Sequence, residues 1–293
     1  MQSPIRFVLL ALLAFIWGSS FILMKEGLKS FTPTQVASFR LIISGLALLP
    51  FAFRFLKEVK KRDWLPLAVV AFFGNGIPYF LFPLAQTQLG SGITGMLNSL
   101  VPLFTLLIGV LVFKNELKRT KLYGVLLGLA GAIILILATH DDTQGHYGYG
   151  VLVIIATVCY AISVNTLKAR LTRFNPLATA AIPIAIVMVP VLIYMPIFEP
   201  VDFASFTIEQ TRSFVAVVTL ALIGTAAAMI IFNRIIQLSS AVFASSVTYL
   251  IPVVAMAWGI RDGENIGVLH FIGLAVVLTA VYLINKKERK LHL

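Results

Sequence analysis

The chain is short of charge, and none of its acids lies where a buried proton relay would need one. Only 12% of its 293 residues are charged and 59% are hydrophobic, whereas a soluble domain carries roughly 25% charge. With a mean hydropathy of +0.96, the chain has more apolar surface than a water-facing fold can hide, so the bilayer must be its solvent. All 12 acidic residues fall in loops or at the ends of apolar runs. Buried proton relays use intramembrane carboxylates or histidines, and of the four histidines only His270 lies even a little way inside a run. One cysteine, Cys159 within an apolar run, excludes a disulfide framework. The cluster His140-Asp141-Asp142 with His146 lacks a zinc-ligand spacing and reads as a solvated turn. No metal and no cofactor is therefore expected.

What is present is apolar length. Ten runs reach the roughly 17–25 residues that a bilayer requires, at 7–25, 32–53, 64–85, 91–113, 120–138, 148–167, 176–197, 212–234, 239–260 and 266–285. The first is preceded by Arg6, as in a signal peptide, but it lacks a clean small-x-small cleavage site and nine further runs follow. It is read as a retained span. With the N-terminus in the cytoplasm, 18 of the 23 basic residues face inward, and only Lys25, Lys29, Arg212 and Arg261 face outward. That asymmetry is the positive-inside signature. It places both termini in the cytoplasm and accounts for the net charge of +11 as topology. Anionic headgroups on the cytoplasmic side are the expected partners, notably for Lys286-Lys287-Glu288-Arg289-Lys290. Nucleic acid is not.

The two halves of the chain repeat. Trp17-Gly18-Ser19-Ser20 falls on Tyr160-Ala161-Ile162-Ser163 at a spacing of 143, and Phe31-Thr32-Pro33 falls on Phe174-Asn175-Pro176. Pro102 and Pro252 stand 150 apart, each after small and polar residues and each followed by an apolar half ending in an acid, Glu116 or Glu264. Helix breakers at membrane depth survive where neighbours or water satisfy the freed backbone groups. Interrupted apolar segments at matching places in two halves point to a transporter's substrate site. Five spans per half is an odd number, so the second copy is expected to cross upside down. The expected fold is an all-α membrane protein of ten helices, with five-helix repeats at 1–140 and 141–293.

Trp17-Gly18-Ser19-Ser20-Phe21, Arg40, Leu100-Val101-Pro102 and Leu250-Ile251-Pro252, in this order and spacing, resemble the ten-span EamA-type family of the drug/metabolite transporter superfamily. The resemblance covers the whole chain. It implies a bacterial inner-membrane carrier, not an enzyme, exporting amino acids or related zwitterions through a cavity lined by spans one, three, four, six, eight and nine. Amphipathic drugs or nucleobase-like metabolites are the alternative cargoes. Arg261 departs from the pattern, which has an apolar residue there.

Candidate substrate-binding residues follow from depth and position. Arg40 lies eight residues into the second run, roughly 12 Å along a helix, and a charge at that depth by default marks a functional site. It would hold a substrate carboxylate or latch the outer gate; the plainer readings are snorkelling to the surface or a structural pairing between repeats. Asn75, Tyr79, Asn98, Asn165, Thr248 and Tyr249 are polar groups within runs and must find partners in a neighbouring helix or a wet cavity. Asn98 and the Thr248–Tyr249 pair precede the two matched prolines at equivalent depth. Trp17 and Tyr160 correspond between repeats as aromatic walls, while Pro102 and Pro252 are the candidate bends. Glu26 reads as a solvated interfacial charge; Lys25, which could also face the pore mouth, and Lys168 read as topology charges. Gly124, Gly128 and Gly131 form a close-packing stripe, serving either the bundle interior or a homodimer face; the chain is expected to be a monomer or homodimer. An integral membrane enzyme would need clustered acids, histidines or a nucleophile with its base, and no such constellation occurs.

Overall fold

The computed structural model describes residues 5–114, 119–138, 147–238, 244 and 246–285, and every regular element among them is helical. Glu116, the His140–His146 cluster and the basic tail at 286–290 lie outside the described residues. Seven stretches are long and apolar enough to cross a membrane: Val8–Leu28, Pro33–Leu56, Lys61–Gln86, Ser91–Leu111, Gly148–Arg170, Pro176–Phe198 and Ile208–Leu238. They coincide with runs one to four and six to eight. Runs five, nine and ten contain shorter apolar helical stretches, Tyr123–Leu135, Ile251–Arg261 and Val268–Ala280.

Local sequence sets the helix limits. Helix α1 spans Ile5–Leu28 and α2 spans Pro33–Leu56. The start of α2 is fixed by a Thr32–Gln35 capping box and by Pro33, whose missing N–H is no loss in a first turn. Run three is a composite of α3, Trp64–Ala71, a π-helical segment, Phe72–Gly76, and α4, Ile77–Gln86. Pro78 explains part of that interruption. It has no N–H to give to the carbonyl of Gly74, and Ile77 bonds instead to Phe72, five residues back. Run four divides into α5, Ser91–Asn98, and α6, Val101–Leu111. Then come α7, Arg119–Ala138, α8, Tyr147–Arg170, and α9, Pro176–Phe198. Run eight repeats the composite of run three, with α10, Ile208–Thr219, a π-helical segment, Leu220–Ala227, and α11, Ala228–Leu238. The chain finishes with a 3₁₀ turn, Ser246–Tyr249, then α12, Ile251–Arg261, and α13, Val268–Asn285.

The helices break beside Pro102 and Pro252, as expected of helix-break residues, but the prolines do not bend a continuous helix. Pro102 and Pro252 occupy the first turns of α6 and α12, where no intrahelical N–H is needed. The chain breaks just before them, at Ser99–Leu100 and at Leu250. They therefore begin a second half-helix and do not bend a continuous one.

Packing is close where small residues allow it, as expected when lipid supplies no hydrophobic drive between helices. Gly131 and Gly128 of α7 face Val277 and Ala280 of α13. The glycine stripe is thus occupied within the chain. Helix α2 lies along α9, with Gly45 against Met188.

Lys25 and Lys168, read as topology charges, are both engaged with the protein at the ends of the bundle. At one end of the bundle Lys25 bonds Asp262 at 2.5 Å and Glu264 at 3.0 Å. Gly263, with φ of +80°, reverses the chain there. Glu264 then lies across the start of α5, accepting from the backbone N–H groups of Ser91 at 2.6 Å and Gly92 at 2.9 Å, and from the Ser91 hydroxyl. Helix α5 has no side-chain cap of its own, so a carboxylate 173 residues away supplies it. A Cβ at Gly90, Gly92 or Gly259 would run into that carboxylate. Glu26 fits the interfacial reading, paired with Lys29 at 2.6 Å. At the other end Lys168 donates to the Ile236 carbonyl at 3.0 Å, Gln237 donates to that of Phe174, and Arg173 pairs with Asp63.

Replacing Glu264 by Gln leaves the shape but removes the charge shared by Lys25 and the α5 terminus. A loss of about 1–3 kcal/mol is expected. Thermal unfolding in detergent checks this, and the loss should shrink in a Lys25→Met background.

Candidate functional site

A cavity of about 90 Å³ lies between the first-half and second-half helices, enough for several waters at roughly 10–15 Å³ each. Its walls come from α1 (Trp17, Ser20, Phe21, Met24), α2 (Arg40) and the run-three composite (Gly74, Tyr79, Phe82), with Asn98 and Val101 from run four. The second half contributes Tyr160, Ser163 and Val164 of α8, Met229 and Phe232 of α11, and Thr248 and Ile251 around the start of α12.

Six of the expected residues are brought together here: Trp17, Arg40, Tyr79, Asn98, Tyr160 and Thr248. Three are not. Asn165 lies outside the lining and donates through Nδ2 to the carbonyls of Thr105 and Ala161, both at 2.9 Å. It staples α8 to α6. Asn75 is buried in the first π-helical segment and donates to the Val70 carbonyl at 3.3 Å. Tyr249 belongs to the 3₁₀ turn, and its side chain lies outside the described residues. Arg261 is exposed at the end of α12, with its guanidinium 5.4 Å from the centre of the Trp258 ring.

Arg40 does not snorkel to a surface. It is 5% exposed, its Nε donates to the Thr225 hydroxyl at 2.7 Å, and its guanidinium lies 3.7 Å from the centre of the Tyr79 ring. Among the described residues no carboxylate comes within ion-pair distance of it. Asn98 is equally buried, and its Oδ1 has no hydrogen-bond partner among the described residues.

The walls are wired in matching pairs. The Trp17 indole donates to the Gly224 carbonyl at 3.0 Å. The π winding leaves that carbonyl available, because Ala228 bonds to Ile223 and Thr225 instead. Thr225 donates to Leu220, five residues back, as Asn75 does to Val70, and the two bonds are 150 residues apart in sequence. Trp17 meets Phe232 edge-on at 4.9 Å, and Tyr160 stacks with Phe82 at 5.8 Å; Phe82 and Phe232 are again 150 apart. Gly224 makes room for Ser20, and Gly74 makes room for Ser163.

Phe82, Phe232, Ser20, Ser163 and Thr225 were not singled out from the sequence. Carrying the spacings of 143 and 150 through every position would have found the first four as pairs. Thr225 carries the same signal through Asn75.

The EamA-like transporter family matches the chain twice, at residues 5–137 and 148–286. An uncharacterized inner membrane transporter of Escherichia coli, YedA, is 28% identical over 92% of this chain and 87% of its own length. An uncharacterized transporter of Archaeoglobus fulgidus is 22% identical over 97% of this chain and 99% of its own. A protein of Salmonella typhimurium named as a probable amino-acid metabolite efflux pump is 23% identical over 93% and 92%. A solved crystal structure shares the fold with a TM-score of 0.66 at 17% identity, over 94% of this chain and 95% of that one.

The two asparagines should separate on substitution. Asn165→Leu leaves two buried carbonyls short of a donor and should cost about 1–3 kcal/mol. Asn98→Leu removes an acceptor with no partner among the described residues and should leave the unfolding temperature nearly unchanged or raised. Unfolding of both variants in one detergent decides it; an Asn98→Leu loss as large as that of Asn165→Leu would contradict this placement.

Proposed function

Because the chain belongs to the EamA-like transporter family, we propose that it is a secondary membrane transporter exporting amino acids and related small metabolites by alternating access. The observation that carries this reading is the cavity between the two halves, lined by residues that recur at spacings of 143 and 150. A site at a repeat interface is where carriers built from internal repeats hold their substrate. In this reading ten spans form two five-span repeats of opposite orientation, with both termini in the cytoplasm. Rocking of one half against the other exposes the cavity to each side in turn.

The two ends of the bundle carry the contacts such rocking would exchange. Lys25, Asp262, Glu264 and the start of α5 join span one, span four and the 261–268 connection. Asp63 and Arg173 join the loops before α3 and α9. The basic asymmetry assigns the first set to the outer face and the second to the inner face. Choice of cargo rests on Arg40 within the cavity and on the Salmonella typhimurium relative, whose name refers to amino-acid metabolites. The aromatic walls, Trp17 with Phe232 and Tyr160 with Phe82, also favour a second reading in which amphipathic or nucleobase-like compounds are carried. No electron or group transfer is assigned to the site, and no metal or cofactor enters this mechanism.

Counterflow in proteoliposomes tests the reading. Vesicles loaded with a mixed amino-acid and organic-acid pool are expected to accumulate a labelled member from outside, and Gly224→Val, which drives a side chain into Ser20, should lower the rate at least tenfold while the protein stays monodisperse. Uptake indistinguishable from empty vesicles across the pool would reject this cargo class.

A further inference from the structure

Within the carrier reading above, we infer that the cavity selects cargo by net charge. Among the amino acids and related metabolites of that reading it ranks a small carboxylate anion with an apolar body above the zwitterion of the same skeleton, and it excludes the amine. The inference comes from an imbalance in an otherwise paired site. Trp17 and Tyr160, Ser20 and Ser163, and Phe21 and Val164 are lining residues 143 apart; Phe82 and Phe232, Asn98 and Thr248, and Val101 and Ile251 are lining residues 150 apart. Arg40 breaks the pattern. Its counterpart at 143 is Pro183, buried in α9 and absent from the lining, and the counterpart of its ring partner Tyr79 at 150 is Met229. The first-half wall therefore holds a guanidinium on a phenol face with no matching cation in the second half, where a thioether stands in the place of the phenol.

The charge count follows directly. Arg40 is the single charged residue among those lining the cavity, and no Asp or Glu is among them. A guanidinium has five N–H donors in a planar fork suited to a carboxylate, and Arg40 meets only neutral partners among the described residues, the hydroxyl of Thr225 and Tyr79. A carboxylate arriving there finds an unspent cation. An ammonium arriving with it loses its water and finds only neutral groups: the Asn98 carbonyl, hydroxyls and ring faces. It also sits in one small cavity with a like charge. Burying an unpaired ion is strongly unfavourable, whereas the hydroxyl of a 2-hydroxy acid needs only a neutral acceptor, which Asn98 Oδ1 offers. The apolar remainder of the cargo then lies against Met229, Phe232 and Trp17.

Three probes of similar body separate the charges: 2-hydroxy-4-methylpentanoate, leucine and isoamylamine. In proteoliposome counterflow at neutral pH the hydroxy acid should exchange at least tenfold faster than leucine, and the amine not at all. Arg40→Gln should reduce hydroxy-acid exchange at least tenfold. Met229→Glu, which adds a carboxylate to the lining, should move the leucine to hydroxy-acid ratio at least tenfold toward leucine, and it reads the same selectivity should Arg40→Gln fail to fold. Leucine exchanging as fast as the hydroxy acid in the wild type overturns the anion inference and leaves the carrier reading standing. Absence of exchange with all three overturns the anion inference together with the amino-acid cargo of the proposed function.

Discussion

A backbone carbonyl or N–H released from a helix inside a bilayer has no water to turn to, and leaving it unmet costs several kcal/mol. This chain releases such groups at three principal places, and the partner found at each one determines what packs against what. In the first π-helical segment Asn75 reaches Val70; in the second, Thr225 reaches Leu220 and Trp17 reaches Gly224 from another helix. At the start of α5 the exposed N–H groups of Ser91 and Gly92 are met by Glu264. Two of the three solutions bring together segments far apart in the chain. The need to satisfy irregular backbone is thus also what holds first-half and second-half helices in contact.

The same requirement explains why irregularity collects around the cavity. A π turn widens the helix locally and aims side chains that a regular helix would turn elsewhere. Tyr79 follows the first such segment and Met229 the second, and both reach the cavity wall. Glycine is needed opposite each: a Cβ on Gly74 would displace Ser163, and one on Gly224 would displace Ser20. Helix α1 therefore sits against run eight much as α8 sits against run three. Equivalent contacts on either side of a cavity have comparable free energies, so loosening one set and tightening its counterpart need not climb far. Small energy differences between two packings are what a two-state carrier requires.

Much of this was legible in the sequence because it depended on composition and spacing. Membrane burial, the two halves, and six of the nine polar or aromatic candidates at the cavity follow from apolar length, from the offsets of 143 and 150, and from depth. Asn75 and Asn165 could not be sorted from the cavity residues for one reason. A buried amide must find a partner, and sequence alone does not distinguish a carbonyl of its own or a neighbouring helix from a cargo. The partners of Lys25, Asp262 and Glu264, were not legible because they are more than 230 residues away and reach it only through the turn at Gly263. The π-helical segments left one cue, Pro78, and none in run eight. Their cause is tertiary.

Lys25 and Arg40 show how differently one chain can hold a cation. Lys25 is met by two carboxylates at the edge of the bundle, where the charges offset each other and solvent screens what remains. Its environment is complete, and its role is to join elements. Arg40 is deeper, held by a hydroxyl and the face of a phenol. A cation–π contact contributes on the order of 0.5–2 kcal/mol, and a hydrogen bond from a charged donor about 1.5–3 kcal/mol. An effective desolvation penalty of several kcal/mol per ion exceeds or consumes that gain, so folding alone gives little reason for an arginine here. Methionine or leucine would fill the volume without the penalty. An incompletely compensated charge in the wall of a cavity is most economically explained by a counter-charge that is not part of the protein, and the two interactions that do hold Arg40 fix its position without neutralising it.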